Sequence, residues 1–149
     1  MRLTMERFLE PPRSLSGIKS VSSKRSILVV DDDLDSLDLQ RTLLEIEGYE
    51  VFTAESGMEA LELLSQIDEP NLILLDMQMG QMNGVEFLIA LEKKRPEIIE
   101  KVPVIFLTGM DVVPLSKAAG FIRKPADKND FLKAVDRFVK MGFQAPYKH

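Results

Sequence analysis

Residues Asn71–Gly84 read NLILLDMQMGQMNG, and this stretch decides the fold. Leu72, Ile73, Leu74 and Leu75 form a short, unbroken apolar run, the pattern of a strand buried on both faces of a parallel sheet. The run ends on one acid, Asp76. A segment rich in Met, Gly and Asn then leads into a helical pattern that starts near Asn83. A carboxylate at the C-terminal end of a buried strand lies where open α/β sheets place their ligands. Taken alone, such an acid is more often a helix cap or a solvated loop residue. Its meaning depends on the other acids.

Upstream, Ile27, Leu28, Val29 and Val30 form a second buried-type strand, which runs into Asp31, Asp32 and Asp33. A helix follows with Leu37, Leu39, Leu43, Leu44 and Ile46 at mainly three- and four-residue spacings, and Gly48 as its stop. Tyr49–Ala54 reads as a strand. Ser56 and Glu59 make a capping-box signature before Ala60, Leu61, Leu64 and Ile67. Downstream, Val85, Leu88, Ile89 and Leu91 mark a helix that must end before Pro96. Val102–Leu107 is a fourth buried-type strand, finished by Thr108 and Gly109. Phe121, Ile122 and Arg123 make a short fifth strand ending in Lys124 and Pro125. A last helix opens near Asp127 and carries Phe131, Leu132, Val135, Phe138 and Val139. Strands alternating with helices in this way specify right-handed βαβ units. The expected fold is a flavodoxin-like three-layer α/β sandwich with five parallel strands in the order 2-1-3-4-5.

Composition narrows the chemistry. The chain of 149 residues is 45% hydrophobic and 29% charged, as a globular domain should be. It contains no Cys, so disulfide and thiolate chemistry are excluded, and its one His lies at the C-terminus. No apolar run approaches the roughly 20 residues needed to cross a bilayer, and the start, MRLTMERFLEPP, lacks the apolar core of a signal peptide. A cytoplasmic location is expected. Of the net charge of −5, residues 1–25 carry +4 and the remainder therefore −9. Such an acidic body argues against direct binding of nucleic acid. Residues 1–25, with Pro11, Pro12, Gly17 and five Ser, are read as a disordered extension, 26–141 as the domain, and 142–149 as a short tail.

The strand order gathers Asp31, Asp32, Asp33, Asp76, Thr108 and Lys124 on one rim of the sheet. Crowded carboxylates repel one another, which is sensible if a hard divalent cation is bound there. Mg²⁺ takes oxygen ligands and commonly combines one or two carboxylates with a phosphate. Thr108 and Lys124 are suitable donors to a phosphoryl group, and Gly109 leaves it room. Each residue has a bland alternative as cap, strand end or surface charge. Their order on successive strand ends is what favours a site.

Residues 26–140 resemble the receiver domain of bacterial two-component response regulators, the family that includes the chemotaxis receiver. The matching motifs are ILVVDDD, LILLDMQMGQMNGVEF, VIFLTG and FIRKP. The resemblance implies that Asp76 accepts a phosphoryl group and that Asp31, Asp32, Asp76 and the backbone carbonyl of Gln78 bind Mg²⁺. It implies phosphoryl contacts from Thr108 and Lys124, a switch pairing Thr108 with Phe121, and a cis peptide at Lys124–Pro125. The implied donor is a histidine kinase or histidine phosphotransfer protein, and the output is a changed surface for a downstream protein. No turnover is implied beyond the domain's own phosphorylation and dephosphorylation. The sequence departs from the family in three places. Gly80 stands where Pro is usual, which implies a more mobile loop. The segment between Thr108 and Lys124 is short and interrupted by Pro114, so Asp111–Ala119 holds only a shortened fourth helix. No output domain is recognised after the last helix, which gives the expectation of a stand-alone receiver.

The rival from another class is a phosphatase of the haloacid dehalogenase type, with Asp31 as nucleophile and Asp33 as acid/base, on the strength of VDDDLDS. Leu34 stands where that family has a Gly-Thr turn, and the reading leaves Asp76 without a role.

Overall fold

The computed structural model describes residues 24–109, 116–124 and 127–141. The expectations placed on the N-terminal extension, on Pro114, on Pro125 and on the C-terminal tail fall outside these residues. In chain order the elements are β1 (Ser26–Val30), α1 (Leu34–Ile46), β2 (Glu50–Ala54), α2 (Gly57–Leu64), β3 (Leu72–Asp76), α3 (Gly84–Lys94), α4 (Pro96–Lys101), β4 (Val104–Thr108), β5 (Gly120–Arg123) and α5 (Lys128–Met141). All strand pairs are parallel, and the sheet order is β2-β1-β3-β4-β5, the expected 2-1-3-4-5 arrangement.

The three central strands are apolar on both faces because helices cover both. Leu28, Val30, Ile73, Leu75, Val104 and Phe106 point into one core with α2, α3 and α4. Their neighbours Ile27, Val29, Leu72, Leu74, Ile105 and Leu107 point into the other with α1 and α5. Alternate residues of a strand face opposite sides, so a continuous apolar run feeds two cores at once. Complete burial of each large aliphatic or aromatic side chain contributes about 1.5–3 kcal/mol.

The helix ends show how sequence sets each entry to the rim. Asp33 caps α1 by accepting the N–H groups of Asp35 (3.1 Å) and Ser36 (3.4 Å). Gly48, at φ +99°, stops it in a conformation that favours glycine. At α2 the Ser56 hydroxyl accepts the Glu59 N–H at 3.1 Å, while the Glu59 carboxylate reaches back to the N–H of Glu55, so the box closes one residue earlier than its ideal form. The full reciprocal box belongs to α3: Asn83 and Glu86 accept each other's backbone N–H, both at 2.9 Å. At the opposite edge, Ser26 and Asn71 are joined twice. The Ser26 N–H donates to Asn71 Oδ1 at 2.8 Å and the Asn71 N–H to the Ser26 carbonyl at 2.8 Å.

Several expectations need correction. Leu39, Ile46 and Ile89 are exposed, and the buried positions of their helices are Leu37, Gln40 and Leu44 in α1 and Phe87, Leu88 and Leu91 in α3. Pro96 ends α3 but also opens α4, which buries Ile98 and Ile99; proline suits a first helical position because its missing N–H would have no partner there. The fourth strand begins at Val104, not Val102, and includes Thr108. Of the shortened helix expected over Asp111–Ala119, the described part, Ser116–Ala119, is not helical.

Gly84 begins α3 against the sheet. A Cβ there would lie 2.8 Å from Cε1 of Phe106, which is fully buried, and 3.2 Å from the Cα of Met77. Neither can give way without moving the loop that follows Asp76. Gly84→Ala is therefore expected to destabilise the domain by about 1–3 kcal/mol, the usual range for overpacking, despite the better helix propensity of alanine. Equilibrium urea unfolding tests this; a midpoint equal to or above wild type would show that α3 stands off from the sheet.

Candidate functional site

Asp31 directly follows β1 and Asp76 ends β3, and these strands are neighbours in the sheet. The pairing of Val30 with Leu75 carries the next residues, Asp31 and Asp76, to the same level. Asp32 enters from the loop after β1. One carboxylate oxygen from each of Asp31, Asp32 and Asp76 lies within 4.8 Å of the others. Asp31 is wholly buried and Asp76 nearly so, whereas Asp32 is exposed. The third acid of the run, Asp33, does not join them, because its carboxylate caps α1. That leaves it poorly placed to serve as an acid/base in the rival phosphatase scheme.

Each carboxylate is held by specific donors. Asp31 accepts the Asp33 N–H on Oδ1 and Nε2 of Gln40 on Oδ2, both at 3.0 Å. Asp76 Oδ1 accepts the Gln78 N–H at 3.1 Å and lies 3.5 Å from the Lys124 ammonium. Lys124 is brought there by the ladder, its own N–H donating to the Thr108 carbonyl at 2.7 Å. Asp32 Oδ2 accepts the N–H of Gly80 at 3.0 Å. A proline at that position could not donate, so the glycine anchors the loop to the acid cluster where greater mobility was expected. The same loop closes on itself through the Gly84 N–H and Met77 carbonyl, 2.9 Å apart.

Thr108 ends β4, one residue beyond the Asp76–Leu107 pair, and is almost wholly buried. Among the described residues, a Cβ on Gly109 would meet nothing within 4 Å. Phe121 lies on β5 and is 45% exposed. The structure thus brings Asp31, Asp32, Asp76 and Lys124 together, puts Thr108 on the adjoining strand end and leaves Phe121 facing outward. The residue that sequence reasoning missed is Gln40. Its signal was a polar side chain on the same α1 face as Leu37 and Leu44.

Burial pushes the Asp76 carboxyl above its ordinary value of 3.8, and neighbouring Asp31 adds to the rise; the Gln78 N–H and the Lys124 ammonium pull it back in part. A carboxyl whose pKa is raised by folding favours the fold below about pH 4 and works against it as pH climbs through the raised value. Asp76→Asn removes that penalty. In metal-free buffer its thermal midpoint is expected to exceed wild type at pH 7, with the gap closing as pH falls through the raised value toward 4 and staying closed below it. A gap that stays constant with pH would exclude a raised Asp76 pKa.

Residues 27–136 match the family model for the response regulator receiver domain. The chain is similar to the transcriptional regulatory protein GlrR of Escherichia coli K12, at 36% identity over 116 residues that cover 74% of this chain and 25% of that protein. It is also similar to sporulation initiation phosphotransferase F of Bacillus subtilis, at 32% identity over 121 residues that cover 77% of this chain and 94% of that protein. The chain spans about a quarter to a third of the length of the first curated relatives it matches. Among solved structures it is similar to the Vibrio cholerae chemotaxis response regulator CheY4, with a TM-score of 0.69 and 28% identity over 78% of this chain and 99% of that one. A Thermotoga maritima response regulator, TrrA, solved in complex with Mg²⁺-BeF, has a TM-score of 0.66 and 30% identity over 76% of this chain and 98% of that one. With the fold, the acid cluster and these similarities in agreement, the chain belongs to the response regulator receiver domain family of two-component systems.

Proposed function

We propose that Asp76 accepts a phosphoryl group from a histidine kinase or histidine phosphotransfer protein, and that the phosphorylated domain presents a changed surface to a downstream protein. The observation that carries this reading is the placement of Asp76, a nearly buried carboxylate beside two further acids and 3.5 Å from the Lys124 ammonium. In the transfer, an Asp76 oxygen forms the new bond to phosphorus as the phosphohistidine P–N bond breaks, and the released imidazole takes a proton from water. Lys124 then neutralises charge on the phosphoryl oxygens, and Thr108 donates its hydroxyl to one of them. Movement of Thr108 toward the group leaves space beneath β5 that Phe121, now outward, fills by turning in. The domain acts as a switch and releases no product other than phosphate on its own hydrolysis.

The donor set fits Mg²⁺, being made of the hard carboxylate oxygens of Asp31, Asp32 and Asp76, to which the Gln78 carbonyl would be added. When bound, the ion supplies positive charge that offsets carboxylate repulsion and the charge of the incoming group. The haloacid dehalogenase alternative draws no support from the family match or the relatives.

Incubation with acetyl phosphate and Mg²⁺, followed by borohydride trapping, is expected to mark Asp76. Asp76→Asn should take up less than a tenth as much label; stoichiometric labelling of that variant would sink the proposal and turn suspicion to Asp31. Mg²⁺ should also stabilise the fold, by about 1.4 kcal/mol at tenfold above Kd. Asp32→Ala is expected to raise the metal-free thermal midpoint and to erase most of the Mg²⁺ response. An unchanged midpoint together with an unchanged response would remove Asp32 from the metal site.

A further inference from the structure

We propose that Gln40 is a positioning residue, holding Asp31 in the orientation that binds the metal. The inference rests on the reading of the acid cluster as a Mg²⁺ site. Gln40 lies one helical turn after Leu37 and one before Leu44 on the face that α1 buries against the sheet, and only 7% of its surface is exposed. Its Nε2 donates to Asp31 Oδ2 at 3.0 Å and to the Ser36 hydroxyl at 3.3 Å. The two N–H bonds of one amide nitrogen are thus both engaged. The amide oxygen is buried and has no hydrogen-bond partner among the described residues. The reverse orientation of the amide would set that oxygen against a carboxylate, so the orientation is fixed by charge.

A half-satisfied amide in an apolar layer destabilises the fold, and a leucine or methionine would pack there without it. A residue kept at such a position is explained by what its satisfied half does. Here that half grips a wholly buried carboxylate at one oxygen while the Asp33 N–H grips the other. With one donor on each oxygen the carboxylate plane is fixed, and each oxygen retains a lone pair for a further partner. Partners of this kind, behind the ligands themselves, commonly govern metal affinity by 10- to 100-fold. Ser36 completes the arrangement by holding the amide from the helix side.

Gln40→Met keeps the length and unbranched shape of the side chain and removes both donors. Calorimetric titration with Mg²⁺ is expected to give a Kd raised about tenfold or more, while the thermal midpoint in EDTA stays equal or rises. The Mg²⁺ concentration giving half-maximal labelling by acetyl phosphate should move by the same factor as Kd. A merely structural amide would show the opposite pattern, a lowered metal-free midpoint with unchanged Kd, and that result overturns the proposal. Ser36→Ala, which loosens the amide without emptying its place, is expected to shift Kd in the same direction by less. Should the methionine variant fail to fold, the alanine variant decides, and an unchanged Kd counts against Gln40. Wild type separates the two readings: if it binds no Mg²⁺, the acid cluster is not a metal site; if it binds and Gln40→Met binds equally well, only the role of Gln40 falls.

Discussion

Carboxylates of like charge do not gather unaided, and the rim of this sheet is built around making three of them do so. Asp31 and Asp76 are both buried with oxygens less than 5 Å apart. At 4 Å two unit charges interact by on the order of 4 kcal/mol where the effective dielectric is near 20. That is a large fraction of the total stability of a small domain. The opposing terms come from many places in the chain: backbone N–H groups of Asp33, Gln78 and Gly80, the amide of Gln40 and the ammonium of Lys124. The two apolar cores provide the rigid frame that keeps this arrangement from relaxing. Burial, with a lesser contribution from neighbouring Asp31, still leaves the pKa of Asp76 raised, and a site in that condition is receptive to a cation.

Much of this could be read from the chain because its central strands are continuous apolar runs with an acid, a hydroxyl or an amine directly after each. The run tells the fold, and the residue after it tells the rim. Helix faces were harder. Successive residues of an α-helix turn by 100°, which puts Leu37, Gln40 and Leu44 on one side and Leu39 and Ile46 nearly opposite. A search for apolar spacing selects Leu39 and Ile46 and passes over Gln40, because the useful side chain is polar and the misleading ones are not. Pro96 was legible as the end of a helix but not as the start of the next, since the same missing N–H serves both. The acid run was ambiguous in a similar way: nothing in DDD distinguishes a cap from a ligand until Asp33 is seen holding the first turn of α1.

The rim also depends on loops that sequence alone leaves open. Gly80 looked like the loss of a stiff proline, yet its N–H reaches Asp32 across 48 residues of chain. The loop is shaped by that bond at one end and by Gly84, packed on Phe106, at the other. A substitution that seems to loosen the backbone can thus add a donor where the site uses one.

The double hydrogen bond between Ser26 and Asn71 acts as a ruler for events at the far edge of the sheet. In strands that are half polar, a one-residue slip exposes apolar side chains and is punished at once. β1 and β3 are apolar on both sides, so a slip would exchange one greasy surface for another and meet little resistance from burial. Alignment must then be written at the ends. Ser26 and Asn71 write it at the bottom, and every rung above repeats their offset up to Val30 and Leu75. One step out of phase would displace Asp76 from Asp31 by roughly 3.3 Å, more than the reach of any single metal–oxygen bond. The spacing on which the chemistry depends is thus metered from the far end of the strands, by a serine and an asparagine that never touch the site.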